Sequence, residues 1–155
     1  MPFRIEAPCN GCTACASQCP TAAIAGARDG LHVIDPRLCI ECGVCGLICP
    51  VEAVLDAQGA RAVRLPRSQR PRPVVELEAC NGCGLCVDFC PFDCLCIVGP
   101  LHRGVALLAR PLACVSCAEC VRACPKDAVA MAPLDLRKLD PAVARARIGE
   151  VLRAR

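Results

Sequence analysis

The sequence predicts an α+β chain of two small units in tandem, followed by a helical tail, and three observations carry that prediction. One cysteine motif occurs four times. The segments leading into its first and third copies match, as do those leading into its second and fourth. The rest of the composition is too poor in large apolar side chains to build one conventional core.

The chain has 155 residues, enough for one ordinary domain or two very small ones. Its 55% hydrophobic content misleads, because Cys contributes 18 residues and Ala 24. There is no Trp and no Tyr, and the three Phe are Phe3, Phe89 and Phe92. Chains this short of bulky side chains need covalent or metallic cross-links. That excludes an enzyme fold with a deep apolar pocket, and the hydrophobic fraction excludes a disordered chain. Met1 to Glu6 shows neither an apolar export segment nor a twin arginine. The apolar run Val105 to Ala109 is far too short to span a bilayer. Eighteen Cys without an export segment point to metal-bound thiolates in a reducing cytoplasm, with no membrane span.

The motif is C-x2-C-x2-C-x3-C-P. Cys9, Cys12, Cys15 and Cys19 precede Pro20; Cys39, Cys42, Cys45 and Cys49 precede Pro50. Cys80, Cys83, Cys86 and Cys90 precede Pro91; Cys114, Cys117, Cys120 and Cys124 precede Pro125. Two intervening residues let a tight loop curl round one corner of an iron–sulfur cube, so that three thiolates reach three irons. The fourth Cys opens the next turn, faces away and can serve a different cube, while Pro fixes the chain direction. Zinc sites and redox disulfides also use C-x2-C pairs. Zinc, however, prefers two separated pairs to a run of three, and a disulfide scaffold needs neither regular spacing nor Pro. Cys94 and Cys96 stand outside the motifs, Cys94 at a place held by Ala in the other copies. Both read as small buried hydrophobes, with a spare ligand or redox-active thiol as the alternative.

The formal charge of +3 counts every Cys as neutral. A cube with four thiolates carries about −2, so four of them would bring the chain to about −5. The basicity is then no argument for nucleic acid, and stacking aromatics are almost absent.

Taken in order, Phe3-Arg4-Ile5-Glu6 reads as a strand leading into the first motif, and Val74-Val75-Glu76-Leu77 as its counterpart before the third. After each Cys-Pro, a small residue precedes a branched aliphatic (Ala23-Ile24, Ala53-Val54, Cys94-Leu95, Ala128-Val129), which predicts a short turn entering a strand. Leu31-His32-Val33-Ile34 and Val105-Ala106-Leu107-Leu108 are hairpin strands before the second and fourth motifs. These halves predict units at 1–62 and 74–133. Residues 63–73 between them read as a Pro-rich linker. Across the joint Arg61, Arg64, Arg67 and Arg70 recur every three residues, the period of a polyproline II edge, and Arg72 adds a further charge. This edge reads as a solvated, charge-screening linker or as a docking strip for an acidic partner. In the tail, residues 134–155, Asp140 is a good N-cap and Pro141 suits the first turn of a helix. Val143, Ala144, Ile148, Val151 and Leu152 can share one face of it, against the unit or against a partner subunit.

The four motifs resemble the two-cluster bacterial ferredoxins, twice over, in which the fourth Cys ligates the other cluster. The resemblance implies two tandem ferredoxin-like domains with four [4Fe–4S] clusters. With crossing inside each unit, Cys9, Cys12, Cys15 and Cys49 hold the first cluster and Cys39, Cys42, Cys45 and Cys19 the second. Cys80, Cys83, Cys86 and Cys124 hold the third, and Cys114, Cys117, Cys120 and Cys90 the fourth. Nested pairing, first motif with fourth and second with third, is the rival and resembles iron–sulfur subunits of molybdopterin oxidoreductases. Those usually have irregular spacings, which are missing here.

The function so implied is electron transfer without catalysis. His32 and His102 read as polar hairpin surface, and no nucleophile–base set, phosphate cradle or nucleotide fingerprint is present. Gly11, Gly43, Gly46, Gly82 and Gly84 let backbone amides approach sulfur; Glu41, Asp88 and Glu119 place negative charge in the motifs or point it to water. The length and regularity are similar to polyferredoxin subunits of tungsten-dependent aldehyde oxidoreductases. That implies a larger catalytic subunit, a flavin subunit and stacking of copies into a longer wire. A free soluble polyferredoxin is the alternative.

Overall fold

The computed structural model describes residues 3–133 together with 146, 149, 150, 152 and 153. It divides into two compact units, Met1–Arg70 and Pro71–Arg155.

The first unit begins with β1 (Arg4–Ile5), followed by α1 (Ala14–Ser17), β2 (Ile24–Ala25), β3 (Val33–Ile34), α2 (Val44–Ile48) and β4 (Val54–Leu55). The second repeats that order with β5 (Pro71–Val75), α3 (Leu85–Asp88), β6 (Leu95–Val98), β7 (Val105–Leu108), α4 (Glu119–Arg122) and β8 (Val129–Pro133). Each unit pairs its outer strands with each other and its inner strands with each other, all antiparallel. In the first, Ile5 faces Val54 and Ile24 faces Ile34; in the second, Val75 faces Val129 and Leu95 faces Leu108. The aliphatics that follow each Cys-Pro thus begin β2, β4, β6 and β8, as the small residue before each of them predicts. This is a small ferredoxin-like fold of mixed helix and strand.

Helices α1–α4 are four or five residues long and the first unit's strands only two. Neither length is stable alone. What the elements enclose is a core rich in sulfur. In the second unit it consists of Cys80, Cys86 and Cys120 with Leu95, Val105, Ala106, Ala128 and Val129. Among the described residues no helix is long and apolar enough to cross a membrane.

The segment read as a linker folds differently. Ala62 N donates to Val54 O (2.9 Å) and Leu65 N to Leu47 O (3.0 Å), which lays the chain back on the first unit. Arg61 spends its guanidinium on the carbonyls of Glu52 (2.9 Å) and Ala7 (3.2 Å), and Arg70 Nε donates to Leu65 O (3.1 Å). Gln69 N closes a turn on Pro66 O (2.9 Å), so the three-residue period does not become one polyproline edge. Pro71–Pro73 belong to β5. The alternating Pro is compatible with an edge strand, where the missing amide is not needed by the ladder.

Arg72, on that strand, is buried. Its Nε donates to Pro111 O (2.9 Å), and its Nη1 to Ser116 Oγ (3.0 Å) and Pro71 O (3.2 Å). Arg72→Met keeps the volume and strips those acceptors of their donor. It is expected to cost about 2–4 kcal/mol, read as an earlier denaturation midpoint of the cluster absorbance under anaerobic conditions.

The tail's proposed N-cap, Asp140, with Pro141, Val143, Ala144, Ile148 and Val151, lies outside the described residues. Those that are described (146, 149, 150, 152 and 153) are helical. Leu152 packs against the core of the second unit, its methyls 3.3 Å from where a Cβ on Gly99 would lie.

Candidate metal centres

Each triplet loop is built the same way. The residue before the second Cys and the residue after it are both left-handed: Gly11 and Thr13, Glu41 and Gly43, Gly82 and Gly84, Ser116 and Ala118, with φ between 55° and 87°. Four of the eight are not glycine, so each stores about 1–2 kcal/mol of backbone strain. Alternation of right- and left-handed residues turns successive amides toward one side, a concavity suited to an anion. At Gly11 the lack of a side chain matters twice. A Cβ there would lie 2.4 Å from the backbone nitrogens of Asp29 and Gly30, which pack on the loop. Gly82 is placed the same way against Gly104. Gly46 lies in α2, where it lets Ala62 approach, and its amide also donates to the Cys45 sulfur.

The fourth Cys of each motif sits in a second repeated turn. Ala22, Glu52, Asp93 and Asp127 are left-handed, and the next amide swings back onto sulfur. Ala23 N donates to Cys19 Sγ (3.3 Å), Ala53 N to Cys49 (3.3 Å), Cys94 N to Cys90 (3.2 Å) and Ala128 N to Cys124 (3.3 Å). Ala106 N donates to Cys80 Sγ (3.4 Å). A small residue is required where the chain passes this close to sulfur, which accounts for Ala, Ala, Cys and Ala at these positions.

The loops bring the sulfurs together in fours. Cys9, Cys12, Cys15 and Cys49 line one small cavity. Cys19, Cys39, Cys42 and Cys45 line a second, and Cys80, Cys83, Cys86 and Cys124 a third. The remaining motif cysteines, Cys90, Cys114 and Cys117, act electrostatically on Cys120. Three sulfurs of one motif therefore meet the fourth of the other motif in the same unit. Among the described residues no three His, Cys, Asp or Glu side chains converge tightly enough for a single metal ion.

Burial pushes the Cys45 and Cys120 thiols up to about 12 and Cys86 to about 11, with neighbouring cysteines adding to the rise. Cys15 and Cys42 are raised by burial too. Four thiolates cannot stand ionised together in such a site without a cation among them, and metal binding supplies that charge as it displaces the protons. The donor set, the inward-turned amides and the meeting of four sulfurs at one place fit a [4Fe–4S] cube.

Cys94 is buried, and its Sγ donates to Phe92 O (3.5 Å). Burial first, and Cys90 beside it, hold its thiol well above the ordinary range. It is a small buried hydrophobe in that place, and Cys96 is half-buried in β6. Glu41 and Asp88 are exposed, and Glu119 pairs with Arg122. His102 is exposed, as the hairpin reading expects. His32 is not: it is 1% exposed and forms part of the wall of the first cavity. Comparison of the two hairpins position by position would have found it, since inward residues alternate along a strand and His32 stands where the second unit has Ala106.

Comparison with known proteins agrees with this chemistry. A 4Fe-4S dicluster domain model matches residues 8–53, which hold the first two motifs. A second 4Fe-4S dicluster domain model matches residues 31–91, from the second motif into the third, and a 4Fe-4S binding domain model matches 111–128. Ferredoxin-2 of Chlorobaculum tepidum is 36% identical over 61 residues, which are 36% of this chain and 97% of that protein. A ferredoxin of Alicyclobacillus acidocaldarius is 46% identical over 59 residues, 37% of this chain and 74% of that protein. The B component of the anaerobic dimethyl sulfoxide reductase of Haemophilus influenzae is 30% identical over 105 residues. That match takes in 60% of this chain but only 44% of the relative, so this chain spans less than half of its length. With nearly the whole of one ferredoxin matched and the cysteine quartets in place, the chain belongs to the bacterial-type multi-cluster [4Fe–4S] ferredoxins, which work in iron–sulfur electron transfer.

Proposed function

We propose that the chain holds four [4Fe–4S] clusters, two in each of two tandem ferredoxin domains, and conducts electrons as a subunit of a multi-subunit oxidoreductase. The observation that carries this reading is the meeting, within a unit, of three cysteines of one motif with the fourth of the other. On that basis Cys9, Cys12, Cys15 and Cys49 ligate the first cluster, and Cys39, Cys42, Cys45 and Cys19 the second. Cys80, Cys83, Cys86 and Cys124 ligate the third, and Cys114, Cys117, Cys120 and Cys90 the fourth. The family model over 31–91 joins the second and third motifs and leans toward nested pairing. We give more weight to the cavity linings, which support within-unit pairing, because a family model reads spacing while a lining reads position.

Bound in these quartets, each cluster supplies a one-electron couple. The left-handed loops aim amides at the anion, and the N–H···S bonds on the fourth cysteines disperse thiolate charge, which favours the reduced state. Each quartet is complete, so no iron is left open for substrate and catalysis falls to a larger partner subunit. The similarity over 105 residues to one component of a dimethyl sulfoxide reductase supports that arrangement. A tungsten-dependent aldehyde oxidoreductase is the partner we favour from the length and regularity of the motifs. A flavin subunit and further copies of the protein would extend the wire, in a reducing cytoplasm. Coverage of 97% of Ferredoxin-2 favours a second reading, a free electron carrier.

Anaerobic isolation from the native source tests both. The expected result is roughly sixteen irons with equal acid-labile sulfide per chain, dithionite-reduced EPR signals from interacting clusters, and co-migration with a larger subunit whose metal identifies it. A monomer on sizing, fully loaded, would establish the free carrier. Protein without labile sulfide would end the iron–sulfur reading altogether.

A further inference from the structure

Two of the four turns that carry a fourth cysteine share a further contact. In the first unit Ala53 N donates to Cys49 Sγ (3.3 Å), and the carbonyl of that same peptide, Glu52 O, accepts from Arg61 Nη1 (2.9 Å). In the second unit Cys94 N donates to Cys90 Sγ (3.2 Å), and the carbonyl of that peptide, Asp93 O, accepts from Arg110 Nε (2.8 Å). At each site one peptide therefore stands between a guanidinium and a sulfur, donating at one end and accepting at the other. A second bond fixes each guanidinium: Arg61 Nη2 donates to Ala7 O (3.2 Å) and Arg110 Nη2 to Phe92 O (2.9 Å). Arg110 Nη2 also lies 3.4 Å from Asp93 Oδ2. Arginine keeps its charge and all its donors at any working pH, so the direction of every bond is fixed.

The two arginines reach this target from different places. Arg61 follows β4 and pairs with Leu55, whereas Arg110 follows β7. Repetition of the unit does not account for their common contact. The other two turns provide an internal control. Asp35 and Arg110 are equivalent: each stands four residues before its motif, and Asp35 N donates to Ala23 O (2.7 Å) as Arg110 N does to Cys94 O (3.0 Å). Where the second unit lays a guanidinium on the turn, the first has a carboxylate, and Asp35 spends it on Arg37 (3.0 Å). Among the described residues no side chain donates to the carbonyls of Ala22 or Asp127, although Ala23 N and Ala128 N still donate to Cys19 and Cys124.

We infer that Arg61 and Arg110 tune the clusters bound through Cys49 and Cys90, each polarising the intervening peptide so that its N–H bonds sulfur more strongly and the cluster becomes easier to reduce. The inference rests on the quartet reading above, by which these are the first and fourth clusters. A guanidinium on the carbonyl draws electron density toward oxygen and leaves the amide hydrogen more positive; linked hydrogen bonds strengthen one another by about 10–30% each. An added electron puts negative charge on the sulfur, so the stronger bond favours the reduced form. Each unit thereby has one cluster raised in potential beside one that is not. Both arginines are positioning residues that act through a peptide, and neither ligates iron.

The test uses the full chain, loaded anaerobically, with dye-mediated redox titration followed by EPR. Arg61→Met removes one donor and keeps an unbranched stem, and Arg110→Met does the same at the other site. At a fixed ambient potential each is expected to lower the reduced-to-oxidised ratio of one cluster about threefold, which is about 28 mV at 59 mV per tenfold, with iron content and the other clusters unmoved. The two variants should move different clusters, and the double variant both. Arg61→Lys and Arg110→Lys keep a charged donor and should restore most of each ratio. The shifts should persist in 1 M salt, where a Debye length of about 3 Å screens the field of an exposed charge. Shifts that vanish there overturn the relay through the peptide, since the field alone would then account for them. Proton NMR of the oxidised, unsubstituted protein needs no variant to fold: the Ala53 and Cys94 amide protons should lie downfield of those of Ala23 and Ala128, and an equal or reversed order overturns the inference. Unchanged ratios at full iron content overturn it as well and leave the quartet reading standing. Absence of clusters from the unsubstituted protein overturns both.

Discussion

Replacing Cys12 and Cys49 together by Ala is expected to cost the loaded protein no more iron than replacing either alone. Both sulfurs line one cavity, and each acts electrostatically on Cys15. A cube held by three thiolates where it needs four is already lost, so the second substitution finds nothing left to remove. The loss should be about four irons in the single variants and in the double. If pairing were nested, Cys49 would serve the triplet of the third motif, and the double variant would lose about eight. Collapse of the first unit around a missing cluster would raise all three losses equally and leave the comparison intact. Iron and labile-sulfide analysis of the three variants gives the answer, and additive losses sink within-unit ligation. The mirror pair, Cys19→Ala with Cys42→Ala, should behave alike, because Cys19 acts on Cys42.

Stripping the clusters anaerobically, with reductant present to keep disulfides out, is expected to unfold the chain. In the second unit the apolar part of the core apart from cysteine is Leu95, Val105, Ala106, Ala128 and Val129. Full burial of a Val or Leu contributes about 1.5–3 kcal/mol, while each ordered residue costs about 1–2 kcal/mol of backbone entropy. Two-residue strands and four-residue helices do not close that gap. Metal–thiolate bonds that join loops some 30 residues apart do so, as binding energy becomes folding energy. Far-UV circular dichroism should fall toward that of a coil, and protease resistance should vanish. A cluster-free protein that kept its spectrum and a cooperative melt would refute the idea that the cubes serve as the core.

Much of this is legible in the sequence because the cysteine spacing is a local constraint. Residues three apart on a tight loop can face one cube whatever surrounds them, and the aliphatic after each Cys-Pro enters a strand for equally local reasons. The strand at Val33–Ile34 and the one at Val105–Leu108 follow from their short apolar runs beside turn residues. The joint is not legible in that way, because along the sequence its arginines count as charge alone. Arg61 and Arg70 cap backbone carbonyls of the first unit, and Arg72 is interior to the second. A guanidinium with five donors can be spent on carbonyls in any direction, and no periodicity reports which. His32 escapes a reading of its own hairpin alone, its burial being set by the space at Gly26 and the docking of Asp29–Gly30 on Gly11, and only alignment with the second hairpin points to it.

The amino-acid sequence alone determined that this protein binds iron–sulfur cubes, where its sixteen motif thiols lie along the chain, and that its halves repeat. Spacing and composition act over a few residues and survive without knowledge of the fold. Which fourth cysteine meets which triplet, which arginine is interior, and that one imidazole stands in the wall of the first cavity were decided by tertiary structure. Those facts depend on contacts between segments distant in the sequence, and they exist only once the strands have paired.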